Sequence, residues 1–195
     1  MIPKADLPIL SFLSLKAWEA WLKTYHARSD GIWLQFHKKH SGKPSITYVE
    51  ALDGALCYGW IDGQLKPLDS ASWLRKFTPR RQRSGWSKRN TEHVARLTAA
   101  GKMKPAGLRQ VEAAKADGRW ERAYSAPSGM EVPADFLAAV ARHKQAQRCF
   151  ATLSKANKYA IAYRLETAVK PETRERRFAT MLAMLKKGES FHPLR

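Results

Sequence analysis

The sequence predicts an α+β fold: a first half with a small antiparallel sheet covered by two helices, followed by an all-helical C-terminal region. Three observations lead there. The segment GIWLQFHKK alternates, with Ile32, Leu34 and Phe36 on one side and Trp33, Gln35 and His37 on the other, which is the period of a strand. Leu15, Trp18, Leu22 and Tyr25 recur at helical spacing ahead of it. From Ser87 onward every periodic stretch is helical. With 195 residues, 44% of them hydrophobic, the chain can bury a sizeable core in one large domain or two small ones.

Each element has a local cause. Ser14 is a good N-cap and opens a helix over residues 15–27. After the strand and a short SGKP loop, Thr47 and Glu50 form a capping box, T-x-x-E. It starts a helix through Ala51, Leu52, Ala55, Leu56 and Tyr58 that stops at Gly59. WIDGQLKPLD then reads as strand, Asp62-Gly63 turn and strand, with Pro67 confining the second arm to an edge. SWLRKF resembles another strand. Ser87 caps a helix with Val94 and Leu97 that ends at Gly101, and Pro105 starts one carrying Leu108 and Val111 to Gly118. Pro133 starts a third with Phe136, Leu137 and Val140; Ala146, Cys149, Phe150 and Leu153 mark a fourth. Ser154 caps a fifth with Tyr159, Ala162, Tyr163 and Glu166, and Pro171 begins the last, with Phe178, Met181, Leu182 and Leu185 before Gly188. The Pro, Gly and Ser of SAPSGMEVP make residues 125–133 the expected linker between a domain at 1–124 and a helical one at 134–195.

The formal charge of +18 and pI near 10.2 exceed the magnitude of about 2 to 8 that serves solubility in a small domain. They make an anionic partner plausible, either a ligand or a nucleic acid, against the plainer reading of a solvated positive surface. Cys57 and Cys149 lie far apart in apolar helical contexts and read as buried free thiols, which fits a reducing, cytoplasmic compartment. His37 and His40 form a close pair with no Cys or acidic residue spaced to complete a metal set, so neither a metal nor a cofactor is expected. No run approaches the roughly 18 apolar residues of a membrane span. LPILSFLSL runs straight into the first helix and lacks the charged flank of a signal peptide. Oligomeric state is not legible.

Ala55–Asn90 mixes Trp60, Trp73 and Trp86 with many cations, and there is no acidic residue from Arg75 to Asn90. Its expected ligand-binding set is Trp60, Asp62, Arg80, Ser84, Trp86, Ser87 and Asn90. Arg80 would supply a cationic fork held by Asp62, Trp86 a stacking platform, and Ser84, Ser87 and Asn90 a helix start that favours an anion. The plain alternative makes Asp62 a turn residue, Ser87 an N-cap, Trp86 a hydrophobic staple and the arginines a solvated loop. A second basic stretch lies between Asp135 and Glu166. For nucleic acid, Arg75, Lys76, Arg81, Arg83, Lys88, Arg89, Arg148, Lys155 and Lys158 would contact phosphates, and Trp73, Phe77, Trp86 or Tyr159 would stack on bases. With no sequence-specific binding motif present, such binding would be non-specific. An enzyme has only Asp62 and His93 as acid–base candidates here, and catalytic residues are not identified.

The motifs EALDGALCYGWIDG, FTPRRQRSGWSKRN, GKMKPAGL, EAAKADGRW and ETAVKPETRERR resemble those of the bacterial YdeI/OmpD-associated family, also called bacteriocin-protection proteins. The resemblance runs in order along nearly the whole chain. It implies a YdeI-like α+β domain with a helical C-terminal region, and an association with envelope stress and resistance to cationic antimicrobial peptides. It implies no established reaction. By resemblance alone, an envelope protein is a possible partner and a periplasmic place is suggested, from which this sequence departs in its leader and its free cysteines.

Overall fold

Capping chemistry and apolar spacing become elements close to where they stand in the sequence. The computed structural model describes residues 6–125 and 129–192. It divides into two compact units, Met1–Glu121 and Arg122–Arg195. The fold is α+β, with a helical C-terminal region. Residues 126–128 of the expected linker lie outside the described residues.

The first unit runs β1 (Ile9–Ser11), α1 (Leu15–Tyr25), β2 (Ile32–His37), α2 (Tyr48–Cys57), β3 (Trp60–Pro67), β4 (Ser72–Pro79), α3 (Lys88–Ala99) and α4 (Pro105–Ala116). Ser14 Oγ accepts from the Ala17 amide at 3.3 Å and starts α1. Both arms of the Thr47–Glu50 capping box form at the head of α2, at 3.3 and 2.9 Å. α1 and α2 cross at Gly54, where a Cβ would meet the Trp18 ring at 2.9 Å. Trp18, fully buried, donates its indole N–H to the Ala51 carbonyl at 3.0 Å and locks the crossing.

The sheet has the order β1-β2-β4-β3. β2 and β3 each pair antiparallel with β4. β1, however, pairs parallel with β2, so the sheet is mixed rather than purely antiparallel. The parallel edge forms because α1 serves as the crossover that returns the chain in the same direction. A second difference lies in β3. The Asp62-Gly63 pair stands inside a continuous strand at a register shift, and the β3–β4 turn falls at residues 68–71. Leu65, Lys66 and Pro67 stay on the ladder because β3 is an outer strand, where Pro67 needs no donor toward solvent.

Ring contacts fix which face of the sheet the helices cover. Trp18 of α1 meets Phe77 and Trp60 edge-on at 5.8 and 6.4 Å. With the ladder register, this places Ile32, Leu34, Phe36, Trp60, Asp62, Trp73, Arg75 and Phe77 on the helix side. The opposite face carries Trp33, Gln35, Lys66, Leu74, Lys76 and Thr78.

The second unit is α5 (Ala134–Ala141), α6 (Lys144–Thr152), α7 (Lys155–Glu166) and α8 (Pro171–Lys186). Phe136, Val140, Ala146, Cys149, Leu153, Ile161, Leu165, Met181 and Leu185 form its core. Leu137, expected beside them, is 40% exposed, because a helix of eight residues turns only one stripe inward. Buried Asn157 pins the end of the chain, accepting from the His192 amide at 2.9 Å and donating to its carbonyl at 3.2 Å. No helix among the described residues is long and apolar enough to cross a membrane.

Candidate functional site

Three arrangements in the first unit take up several of the residues singled out in the sequence, among them Asp62, Arg75, Arg80, Trp86 and Lys76. The first is centred on Asp62. Its carboxylate accepts from the Tyr48 hydroxyl at 2.8 Å and forms an ion pair with Arg75, whose Nε donates at 3.0 Å. Arg75 and Arg89 also lie near the face of the Tyr48 ring, at 5.2 and 5.9 Å. Burial, and then the negative Asp62 beside it, push the Tyr48 hydroxyl up to about 12. Asp62 was expected to hold Arg80; its partners are Tyr48 and Arg75. The register explains this: Asp62 pairs across the ladder with Phe77, two residues from Arg75, and Arg80 lies beyond the strand end.

Arg80 belongs to the second arrangement. Its guanidinium lies 3.5 Å from the centroid of the Trp86 ring and donates to the Gly85 carbonyl at 3.1 Å. Trp120 packs against Trp86 at 4.9 Å. Trp86, expected as a platform for a ligand, is 2% exposed and is covered by the protein's own arginine. Ser84 closes a turn by accepting from the Arg81 amide at 3.1 Å, and its carbonyl accepts from Arg119 at 2.9 Å. Ser87 is the N-cap of α3, accepting from the amide of buried Asn90 at 3.2 Å. Trp60 is a core residue, 1% exposed, with its indole N–H on the His26 carbonyl at 3.0 Å. Trp73, partly buried, stacks one ring face on Phe36 at 4.4 Å, and Phe77 is fully buried and so not open to a base.

The third arrangement is a cleft of about 400 Å³ on the face of the sheet opposite Trp18. Trp33 and Lys76 line its strand face, Thr78, Arg80 and Arg81 its upper end, and Asp6 and Asp30 complete it. The ammonium of Lys66 stands 4.2 Å from the Trp33 ring centroid and that of Lys76 5.9 Å. Thus the structure brings Arg80, Arg81 and Lys76 to one cleft and leaves Trp60, Asp62, Trp86, Ser87 and Asn90 off its lining. Trp33 was overlooked as a site residue, although a tryptophan on the polar side of an alternating strand was a readable signal. The two acid–base candidates, Asp62 and His93, have separate partners, Asp62 on Tyr48 and Arg75. His93 Nδ1 bonds Asp53 at 2.7 Å, and Arg96 bonds both oxygens of the same carboxylate at 2.7 Å, tying α3 to α2. Cys57 and Cys149 are buried free thiols, and burial pushes Cys57 up to about 11, well away from a nucleophilic thiolate. Among the described residues no group of three or more His, Cys, Asp or Glu is placed to hold a metal.

Residues 10–110, just over half of the chain, match a family model described as a domain of unknown function (DUF8412). Residues 129–188 match one described as bacteriocin-protection, YdeI or OmpD-associated. The chain belongs to the DUF8412 family and carries a YdeI/OmpD-associated domain. No curated protein and no solved structure gives a match. The motif ETAVKPETRERR falls inside the YdeI/OmpD-associated domain, at the junction of α7 and α8. EALDGALCYGWIDG and FTPRRQRSGWSKRN fall inside the DUF8412 domain, which thus holds Asp62, Arg80, Trp86 and Trp33, while Asp6, Arg119 and Trp120 lie outside the matched residues.

In the YdeI/OmpD-associated domain, Arg142, Lys144, Arg148 and Lys155 are exposed on α5, α6 and α7. Lys158 instead lies 5.3 Å from the Phe150 ring centroid and Arg164 4.0 Å from that of Phe191. Arg174 pairs with Asp135 at 2.9 Å, rather than with the neighbouring Glu172 or Glu175 of its own helix. In the DUF8412 domain Arg83, Lys88 and Arg89 are exposed, while Arg75 is engaged by Asp62.

Proposed function

We propose that this chain is a bacterial stress or bacteriocin-protection protein of the YdeI/OmpD-associated kind that acts by binding rather than by catalysis. Its DUF8412 domain takes a small anionic or peptide-like ligand in the cleft at Trp33, Lys76, Arg80 and Arg81. The carrying observation is the composition of that cleft: an aromatic ring flanked by ammonium groups, the exposed Arg81 guanidinium, a hydroxyl and two carboxylates in about 400 Å³, with Arg80 at its end but turned onto Trp86. Lys76 and Arg81 select for a carboxylate or phosphate, and Asp6 and Asp30 add a place for a positive end, as a peptide or zwitterion requires. The free thiols of Cys57 and Cys149 favour the reducing cytoplasm as its place.

Calorimetric titration with pyrophosphate, citrate and trialanine tests the cleft. At least one should bind, and Lys76→Ala with Arg81→Ala should weaken it about tenfold without lowering the melting temperature. Failure of all three to bind below about 1 mM removes the reading.

One observation favours a second reading, non-specific nucleic-acid binding: Trp33 stands between Lys66 and Lys76 on the sheet face opposite Trp18, as a stacking platform for a single strand would. Anisotropy with a labelled random-sequence DNA strand decides it. No binding at about 50 mM salt excludes this function.

A further inference from the structure

A second cavity of about 420 Å³ opens in the first unit, away from the Trp33 cleft, where the ends of α1 and α2 meet the start of α4. Lys23 and His26 reach it from α1, Tyr58 from the end of α2, and Lys104, Ala106 and Arg109 from α4. Its walls are fixed by close backbone packing. A Cβ at Gly59 would meet the Ala106 carbonyl oxygen at 2.8 Å, and one at Gly107 would meet the Leu56 carbonyl oxygen at 2.7 Å. The Lys104 amide bonds the Cys57 carbonyl at 3.1 Å. α4 is therefore seated directly on the end of α2, and Tyr58 and Ala106 cannot slide past each other.

Among the described residues the lining holds Lys23, Lys104 and Arg109 and no carboxylate, and the nearby Glu19, one turn before Lys23 on α1, answers at most one of the three charges. Helix chemistry explains only part of this. Lys23 in the last turn of α1 complements its dipole, but the carbonyl ends of α1 and α2 amount to about half a charge each against three full cations. Lys104, the residue that precedes α4, adds a cation at the end of that helix that is already positive, and the first turn of α4 has no acidic residue to offset it. The remaining lining is two rings and two small apolar residues. Pro105 and Ala106 lie on one side, and the His26 and Tyr58 rings form a tilted pair at 5.2 Å. The Leu22 carbonyl can only accept, so the His26 Nδ1 bonded to it at 2.9 Å carries the proton, and Nε2 is left for a ligand.

We infer that this cavity binds an aromatic carboxylate, its ring against Tyr58, His26 and Ala106 and its carboxylate between Lys104 and Arg109. The size suits a ligand of one or two rings. The test is an NMR titration of the full chain with 2-naphthoate, using neutral 2-naphthamide as control. Naphthoate should saturate one site and shift the Tyr58, Ala106 and Arg109 amides while Trp33 and Lys76 stay unmoved. The amide should bind about tenfold more weakly, as should naphthoate to Lys104→Ala/Arg109→Ala and, from a different helix, to Lys23→Ala. Shifts that fall elsewhere or do not saturate, equal affinity of acid and amide, or unchanged affinity in both variants would overturn the assignment. Trp33→Ala, which empties the other cleft of its ring, should leave naphthoate binding as it was, so the two sites fail or stand separately.

Discussion

Asp62 couples two donors that come from different elements, Tyr48 at the head of α2 and Arg75 in the middle of β4. Removing its charge leaves a partly buried arginine without its counter-ion, so Asp62→Asn should lower stability by about 1–3 kcal/mol in urea unfolding. Tyr48 reports on the same contact through pH. Folding raises its pKa from 10.0 to about 12, so the neutral form is the one the fold prefers. Its contribution to stability is complete below pH 10 and fades as the pH climbs from 10 toward 12. Ultraviolet titration should find a tyrosine ionising at about 12 that disappears in Tyr48→Phe and ionises earlier in Asp62→Asn, beside Tyr58 and Tyr159, which burial also raises. These partnerships were not readable from sequence. An aspartate before glycine signals a turn locally, and the choice between Arg75 and Arg80 depends on cross-strand register, which no local pattern carries. Arg80 and Trp86 were legible as a pair but not as a self-contained one: an arginine near a tryptophan can serve a ligand or cover the ring itself, and only burial separates the two.

At the scale of elements, the caps and breakers acted as local chemistry predicts. Ser14, Thr47, Ser87 and Ser154 all cap the helices they precede, because a hydroxyl three residues from a free amide needs nothing else from the fold. Thr47→Ala should therefore cost about 1 kcal/mol in the same unfolding assay. β1 escaped notice for the opposite reason. Three residues have no period, and their strand exists only because β2, some twenty residues later, offers a parallel edge. The α2–α4 junction makes the sharpest steric prediction. Gly107→Ala would drive a methyl into the carbonyls that end α2, and should destabilise by about 1–3 kcal/mol while an alanine at exposed Gly129, with open space around it, should cost far less.

For the molecule as a whole, positive charge is shared by both units, with 21 Lys and Arg against 11 Asp and Glu in residues 1–121, and 14 against 6 in residues 122–195. Any polyanion held through about five phosphates should lose affinity on the order of several hundredfold between about 50 and 200 mM salt, whereas a ligand gripped in the Trp33 cleft should lose much less. The outer strand bears on how copies of the chain meet one another. β3 presents Gly63, Gln64, Leu65, Lys66 and Pro67 to solvent, with an irregular ladder between Asp62 and Leu65, a charge at Lys66 and no amide hydrogen at Pro67. A neighbouring molecule that tried to extend the sheet there would meet a bent template with a missing donor. Such an edge disfavours pairing between copies, so replacing Lys66 and Pro67 with valine should raise thioflavin-positive aggregation above that of the native chain.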